Sequence, residues 1–253
     1  MTDIVAATVR ALVHARQSHQ PIAAADLPLP DAESAYAVQA GVAAALGGFS
    51  DGGPAHWKSG GASRESLQTH ALLPSRGVHA SPADGRAWPL VMRGIEAEVA
   101  LRLGREVDAK LAATLDVEGA QALVDAMCVS IEIVESRWAE GFEAPPLARL
   151  ADLQSHGALV LGEGVPFAPR DWTQQECLVK IGTRIERRCT GTHSLADPAF
   201  VLPALLRHVT RDGAVLPAGS VVTTGTWCGP LTAEEGELVE VSFEGIGRAS
   251  VTV

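Results

Sequence analysis

Three features of the 253-residue sequence predict an α+β fold, with N-terminal helices leading into a mixed, barrel-like β-sheet core. Helical spacing of apolar residues fills the opening segments, strand-like alternation takes over after Pro89, and 47% hydrophobic content supplies one sizeable core. The division falls near residue 75, giving an N-terminal helical lobe (1–75) that carries a lysine loop and a mixed sheet core (76–253).

Taken in order, residues 3–19 put Val5, Val9, Leu12 and Val13 on one stripe behind an N-cap candidate at Thr2 or Asp3. Pro21 blocks continuation. A second helix runs from about Asp31 to Leu46 and stops at Gly47-Gly48, as glycine C-caps do. The Gly/Ser/Pro-rich stretch from Phe49 to Gly61, with Trp57 and Lys58, reads as loop. Ile95–Leu103 alternates as a strand, Ala112–Ala126 fits a helix, and Met127–Val134 is a β-rich apolar run. Leu147–His156 reads as helix and Ala158–Leu161 as strand. Short strands are expected at Leu178–Ile181 and Thr183–Glu186, a helix at Pro198–Thr210, and strands at Val221–Thr224, Leu238–Phe243 and Arg248–Val253.

Charge narrows the function classes. Twenty Lys and Arg against 30 Asp and Glu give a net charge of -10, which repels phosphate backbones and anionic headgroups, so neither nucleic acid nor membrane is an expected partner. No stretch approaches the roughly 20 apolar residues of a membrane span, and Asp3 and Arg10 interrupt any signal-peptide core. Cys128, Cys177, Cys189 and Cys228 form no CxxC pair and read as free thiols in a reducing cytoplasm.

The sharpest local signal is Ile95-Glu96-Ala97-Glu98-Val99. On a strand, Glu96 and Glu98 share one face while Ile95, Ala97 and Val99 pack the other. An exposed strand face is the ordinary reading of Glu-x-Glu. Glu132 shifts the balance, because it is the one ionised group inside Met127–Val134 and a bare buried carboxylate costs several kcal/mol. Three carboxylates from two strands, without supporting His or Cys, describe a hard-cation site of the Mg²⁺ kind rather than a zinc site. Glu135 falls on the opposite face and reads as a rim charge. Lys58, one of three lysines, is either a solvated loop residue or a partly desolvated group beside a site. The eight histidines show no metal spacing, and His156 and His193, near candidate site loops, read as structural or solvent-facing rather than catalytic. GxSxG, GxGxxG and the phosphate-loop pattern are all absent.

Several segments in order carry a resemblance: Ala35-Tyr36-Ala37-Val38-Gln39, Trp57-Lys58, Ile95–Ala100, and Glu132-Ile133-Val134-Glu135-Ser136-Arg137. They are followed by Ala151-Asp152 with Ser155, Leu216–Ser220 leading to Thr224-Gly225-Thr226, and Phe243–Gly247. Together they resemble the fumarylacetoacetate hydrolase superfamily, in its 2-keto-4-pentenoate hydratase and 4-oxalocrotonate decarboxylase branch. The resemblance implies that family's C-terminal barrel-like fold, Mg²⁺ (or Mn²⁺) held by Glu96, Glu98 and Glu132, and Lys58 as the catalytic lysine. Ser155 and Thr226 would contact substrate. It further implies hydration of a 2-hydroxy-2,4-dienoate to a 4-hydroxy-2-oxo acid in aromatic catabolism, a small-molecule substrate, a cytoplasmic setting and a homo-oligomer. The alternatives are decarboxylation of an oxalocrotonate-like diacid, for which Arg76 or Arg137 would supply a cation, and carbon–carbon hydrolysis of an acylpyruvate. The chain departs from the family pattern at Ser59-Gly60-Gly61, Pro74-Ser75-Arg76, Leu153 and Asp197-Pro198.

Overall fold

Two long strands organise the molecule, which the computed structural model describes over residues 3–49 and 52–253. The N-cap candidate Thr2, and Ser50 and Asp51 of the Gly/Ser/Pro-rich stretch, lie outside the described residues. In chain order the strands are β1 (His56–Gly60), β2 (Thr69–Leu73), β3 (Val78–Ala80), β4 (Ala83–Asp84), β5 (Gly94–Leu103), β6 (Val124–Val134) and β7 (His156–Leu161). They continue as β8 (Val165–Pro166), β9 (Glu176–Ile181), β10 (Ile185–Thr190), β11 (Val221–Thr223), β12 (Leu231–Thr232), β13 (Leu238–Phe243) and β14 (Gly247–Thr252). The helices are α1 (Asp3–Ser18), α2 (Ala32–Leu46), α3 (Ala109–Thr114), α4 (Val117–Gln121), α5 (Pro146–Ala151) and α6 (Leu202–Thr210).

A mixed nine-stranded sheet runs β2-β1-β11-β5-β6-β7-β3, with β12 on β5 and β8 on β6. Its β1–β11 and β3–β7 pairs are parallel and the others antiparallel. A second sheet, β10-β9-β13-β14-β4, packs through β13 and β14 against β6 and β7. Alternation explains the core between them: Ile95, Ala97, Val99, Leu101, Ile131 and Ile133 point inward and meet Val179, Val241 and Val251. Each fully buried branched side chain contributes about 1.5–3 kcal/mol of transfer free energy. A separate apolar cluster joins α1, α2 and α5 around Trp138.

Four expectations need correction, each for a local reason. Lys58 lies on strand β1 rather than in a loop, because Trp57 pairs with Val222 and Leu72 in the sheet and Ser59 is buried. The expected helix over 112–126 is two short helices and the start of β6. Asp108 and Asp116 each cap a new helix by accepting from Leu111 N and Gly119 N, both at 2.8 Å, and Leu115 between them is extended. The helix expected over 147–156 ends at Ala151, where Leu153, Gln154 and Ser155 turn left-handed with φ of 53°, 54° and 59°. Thr183 sits in the β9–β10 turn rather than in a strand, since Gly182 takes φ 50° there.

Candidate metal centre

Register brings the three glutamates together. Glu96 on β5 stands directly opposite Glu132 on β6, and Glu98 lies two residues along the same face opposite Ser130. One carboxylate oxygen from each of Glu96, Glu98 and Glu132 lies within 4.8 Å of the others. Glu98 and Glu132 are buried and Glu96 is half-buried.

β1 delivers Lys58 to the same face. Its Nζ donates to Glu132 Oε1 at 2.5 Å and to the Gln154 carbonyl at 3.0 Å. Burial alone would lower the ammonium, but Glu132, then Glu96 and Glu98, outweigh it and leave Lys58 above its ordinary value. Burial, followed by repulsion from Glu132, raises Glu96 and Glu98. Glu132 goes the other way, since Lys58 and His156 overcome its burial. Lys58 attracts all three carboxylates, but it outweighs burial only at Glu132, whose charge then adds to the burial of Glu96 and Glu98.

The next layer was not foreseen from the sequence. His156 Nδ1 is 3.2 Å from Glu132 Oε1, and burial keeps this imidazole below its ordinary value, hence neutral. Thr223 on β11 donates its hydroxyl to Glu98 Oε2 and is 2.8 Å from the Ser130 hydroxyl. Neither threonine nor serine carries a motif, and only the β11–β5–β6 pairing brings them beside the glutamates.

The left-handed turn 153–155 shapes the remaining wall. Left-handed backbone costs about 1–2 kcal/mol per non-glycine residue, and three in succession need support. Asp152 provides it, accepting from Arg137 N at 3.0 Å, Arg137 Nε at 2.8 Å and Arg16 Nη2 at 2.7 Å. Ser155 O accepts from Glu135 N at 2.8 Å. The turn aims the Gln154 carbonyl at Lys58 and leaves Ser155 Oγ buried without a partner. Gln154 Nε2 donates to Thr69 Oγ1, while its Oε1 is buried and unpaired. Thr226 stays within its own turn, donating to Gly229 O at 3.3 Å and accepting from Cys228 N at 3.4 Å. That turn is tied to the glutamate strand by Trp227 N donating to Ala97 O at 2.9 Å. His193 accepts from Leu195 N and faces Thr224 O, so its ring is structurally engaged. Glu135 is a buried anchor for the 91–92 loop rather than a rim charge, because its carboxylate accepts from the N–H groups of Val91 and Met92.

The donor set suits a divalent cation. Glu132 Oε2 is buried with no hydrogen-bond partner, and three convergent carboxylates face one ammonium. An all-oxygen set of this kind fits a hard ion.

Comparison with known proteins places this geometry in a family. Residues 75–253 match the model of the fumarylacetoacetate (FAA) hydrolase C-terminal domain. The chain is 34% identical over 166 residues to 2-keto-4-pentenoate hydratase 2 of Dechloromonas aromatica (strain RCB), a match covering 65% of this chain and 62% of that protein. It is 32% identical over 183 residues to 2-keto-4-pentenoate hydratase of Paraburkholderia phymatum, covering 68% of each. The chain thus spans about three-fifths of the length of the Dechloromonas relatives, at 62% and 61%. Among solved structures, 4-oxalocrotonate decarboxylase from Pseudomonas putida G7, complexed with magnesium and adipate, superposes with a TM-score of 0.82 at 18% identity. That match covers 98% of this chain and 96% of the other. 2-Hydroxyhepta-2,4-diene-1,7-dioate isomerase from Mycobacterium marinum superposes with a TM-score of 0.59 at 14% identity, covering 79% of this chain and 74% of the other. These two show the shared fold. No helix among the described residues is long and apolar enough to cross a membrane. The chain belongs to the fumarylacetoacetate (FAA) hydrolase C-terminal family.

Proposed function

We propose that this chain is a divalent-metal-dependent hydro-lyase that adds water to a 2-hydroxy-2,4-dienoate of the 2-keto-4-pentenoate type, giving a 4-hydroxy-2-oxo acid. The observation that carries the reading is the convergence of Glu96, Glu98 and Glu132 within 4.8 Å, with Lys58 Nζ 2.5 Å from Glu132. The names of the curated relatives point to the same reaction. The same reading makes the protein a cytoplasmic homo-oligomer working in aromatic-compound breakdown.

Glu96, Glu98 and Glu132 hold the cation, Mg²⁺ or Mn²⁺. When bound, it supplies Lewis acidity toward the oxygens of a 2-oxo acid. Lys58 has three N–H donors and spends two on Glu132 and Gln154 O, so one remains to hold a substrate carboxylate or move a proton. Gln154 Oε1 and Ser155 Oγ, buried and unpaired, are available to orient the water that adds to the unsaturated ketone. Thr223 and Ser130 fix the orientation of Glu98. The Thr226 turn, anchored to Ala97, forms a further part of the substrate wall.

Of the two cations considered for a diacid, Arg137 is committed to Asp152 by Nε contacts of 2.8 and 2.9 Å and Arg76 lines a cavity that none of the three glutamates enters, which supports a monoacid over an oxalocrotonate-like diacid. A second reading, carbon–carbon hydrolysis of an acylpyruvate, draws on the His156–Glu132 pair at 3.2 Å, since such a pair can activate water. It ranks lower because His156 is fully buried and Glu132 is also held by Lys58. The test is a Mg²⁺-dependent ultraviolet assay on freshly generated 2-hydroxypenta-2,4-dienoate, with 4-oxalocrotonate and an acylpyruvate in parallel. Loss of the dienol signal with formation of 4-hydroxy-2-oxopentanoate is the expected result, and it should disappear in Lys58→Ala. Turnover of only one of the parallel substrates would replace the proposed reaction with decarboxylation or hydrolysis.

A further inference from the structure

A cavity of about 530 Å³ lies on the far side of His156, and its lining includes none of Glu96, Glu98, Glu132 and Lys58. His156 is the partition. Its Nδ1 faces Glu132, whereas Gly77 lines the cavity and a Cβ placed there would lie 3.4 Å from His156 Nε2.

Three guanidiniums reach this cavity: Arg16 from α1, Arg76 from the turn before β3, and Arg137 from the segment after β6. The nearby carboxylates are already engaged. Asp152 accepts from Arg16 and Arg137. Glu135 accepts from the backbone N–H of Val91 at 2.6 Å, Met92 at 3.0 Å and Ser136 at 3.1 Å. Arg76 makes no ion pair among the described residues, and Arg16 Nε is buried without a partner. Burial, followed by repulsion from Arg137, pulls Arg16 down to about 10. An anion placed here would offset the repulsion of Arg16 by Arg137 and Arg76.

Another part of the lining is aromatic. His79 and Trp88 stack with ring centroids 4.3 Å apart and an interplanar angle of 26°, and Leu90 and Met92 extend the apolar surface. Phosphate or sulfate would use the guanidiniums and leave that surface wet. A planar carboxylate uses both, since a guanidinium fork matches a carboxylate and a ring packs on a ring.

We infer that this cavity is a second ligand site, distinct from the carboxylate cluster, for a small planar organic acid. Arg16 and Arg76 take the carboxylate, and the His79–Trp88 stack takes the aromatic or conjugated body. A site of this size, mostly apolar with a few convergent polar groups, is what small-molecule pockets offer.

The test is calorimetric titration of the full chain with benzoate, in Mg²⁺, with inorganic phosphate as a parallel probe. The proteins compared are wild type, Arg76→Glu and Lys58→Met. Arg76 is exposed, so its reversal leaves the buried Arg16–Asp152–Arg137 network intact, which a thermal melt checks. The expected result is saturable benzoate binding, weaker by about tenfold or more in Arg76→Glu, the effect of losing one charge-assisted hydrogen bond. Binding should persist in Lys58→Met, and phosphate should bind more weakly than benzoate. Absence of benzoate binding, equal affinity in Arg76→Glu, or phosphate binding as tightly as benzoate overturns the assignment. Loss of binding in Lys58→Met moves the ligand to the metal-side pocket and overturns it equally.

Discussion

On one side of the segment 152–157, three carboxylates face a single lysine; on the other, three arginines face two carboxylates already in use. The difference lies in which charge is left over: carboxylate on the glutamate side, and the Arg76 cation, unpaired among the described residues, on the arginine side, where the carboxylates are in use. In the arginine region, Asp152 is saturated by Arg16, Arg137 and the Arg137 backbone N–H, so its charge holds the chain path. In the glutamate region, Glu132 Oε2 has no partner and Glu96 and Glu98 sit above the ordinary carboxylate range. A saturated buried charge is architecture, and an unsaturated one is a place for a ligand. His156 stands between the two and belongs structurally to both.

Removing the saturated partner should have the largest effect. Asp152→Ala leaves two buried guanidiniums facing each other, and the loss should be about 3–5 kcal/mol, read as a lower denaturation midpoint. A loss under about 1 kcal/mol would mean that the turn does not depend on this carboxylate. Next comes the partition: His156→Asn removes the contact with Glu132, and Mg²⁺ affinity by calorimetry should weaken about 10–100-fold with the fold retained. The left-handed turn supplies a smaller contrast. Gln154→Val should be less stable than Gln154→Gly by about 1–2 kcal/mol, because a β-branched residue at φ 54° is strained and glycine is not. Equal stability would show that the turn relaxes freely.

A third buried group, on the face of β1 and β2 turned away from Lys58, serves as a control. Burial, with a smaller contribution from His208, pulls His70 down to about 3, and its Nδ1 is 2.8 Å from the Ser59 hydroxyl. The unfolded state takes up a proton below the ordinary histidine value while the folded state does not. Its stability contribution is therefore complete above about pH 6.5 and is lost progressively as pH falls toward 3. The pH dependence of urea unfolding should flatten in His70→Gln without change in Mg²⁺ binding. A change in Mg²⁺ binding would tie this group to the metal face.

Strand alternation made the Glu96 and Glu98 face legible, and the apolar run around Glu132 marked that carboxylate as one needing a partner. Lys58 stood out as one of three lysines but with a solvated loop as an open alternative, because local composition, Ser59-Gly60-Gly61, argues for a loop while pairing with β2 and β11 makes a strand. His156, Gln154 and Thr223 were beyond reach for a different reason. Their roles come from a left-handed turn and from the antiparallel pairing of β11 with β5, strands far apart in sequence, and neither leaves a periodic trace in the chain. Asp108 and Asp116 were readable as caps, yet the apolar periodicity across Leu115 masked the break between α3 and α4.

The most direct test of the account is the melting temperature of wild type and Glu132→Gln, each with and without Mg²⁺. If the three glutamates bind the cation, Mg²⁺ at about a hundredfold excess over Kd should stabilise wild type by about 2.7 kcal/mol. Glu132→Gln should show no rise. An equal rise in both proteins, or none in wild type, would contradict a metal centre built on Glu96, Glu98 and Glu132.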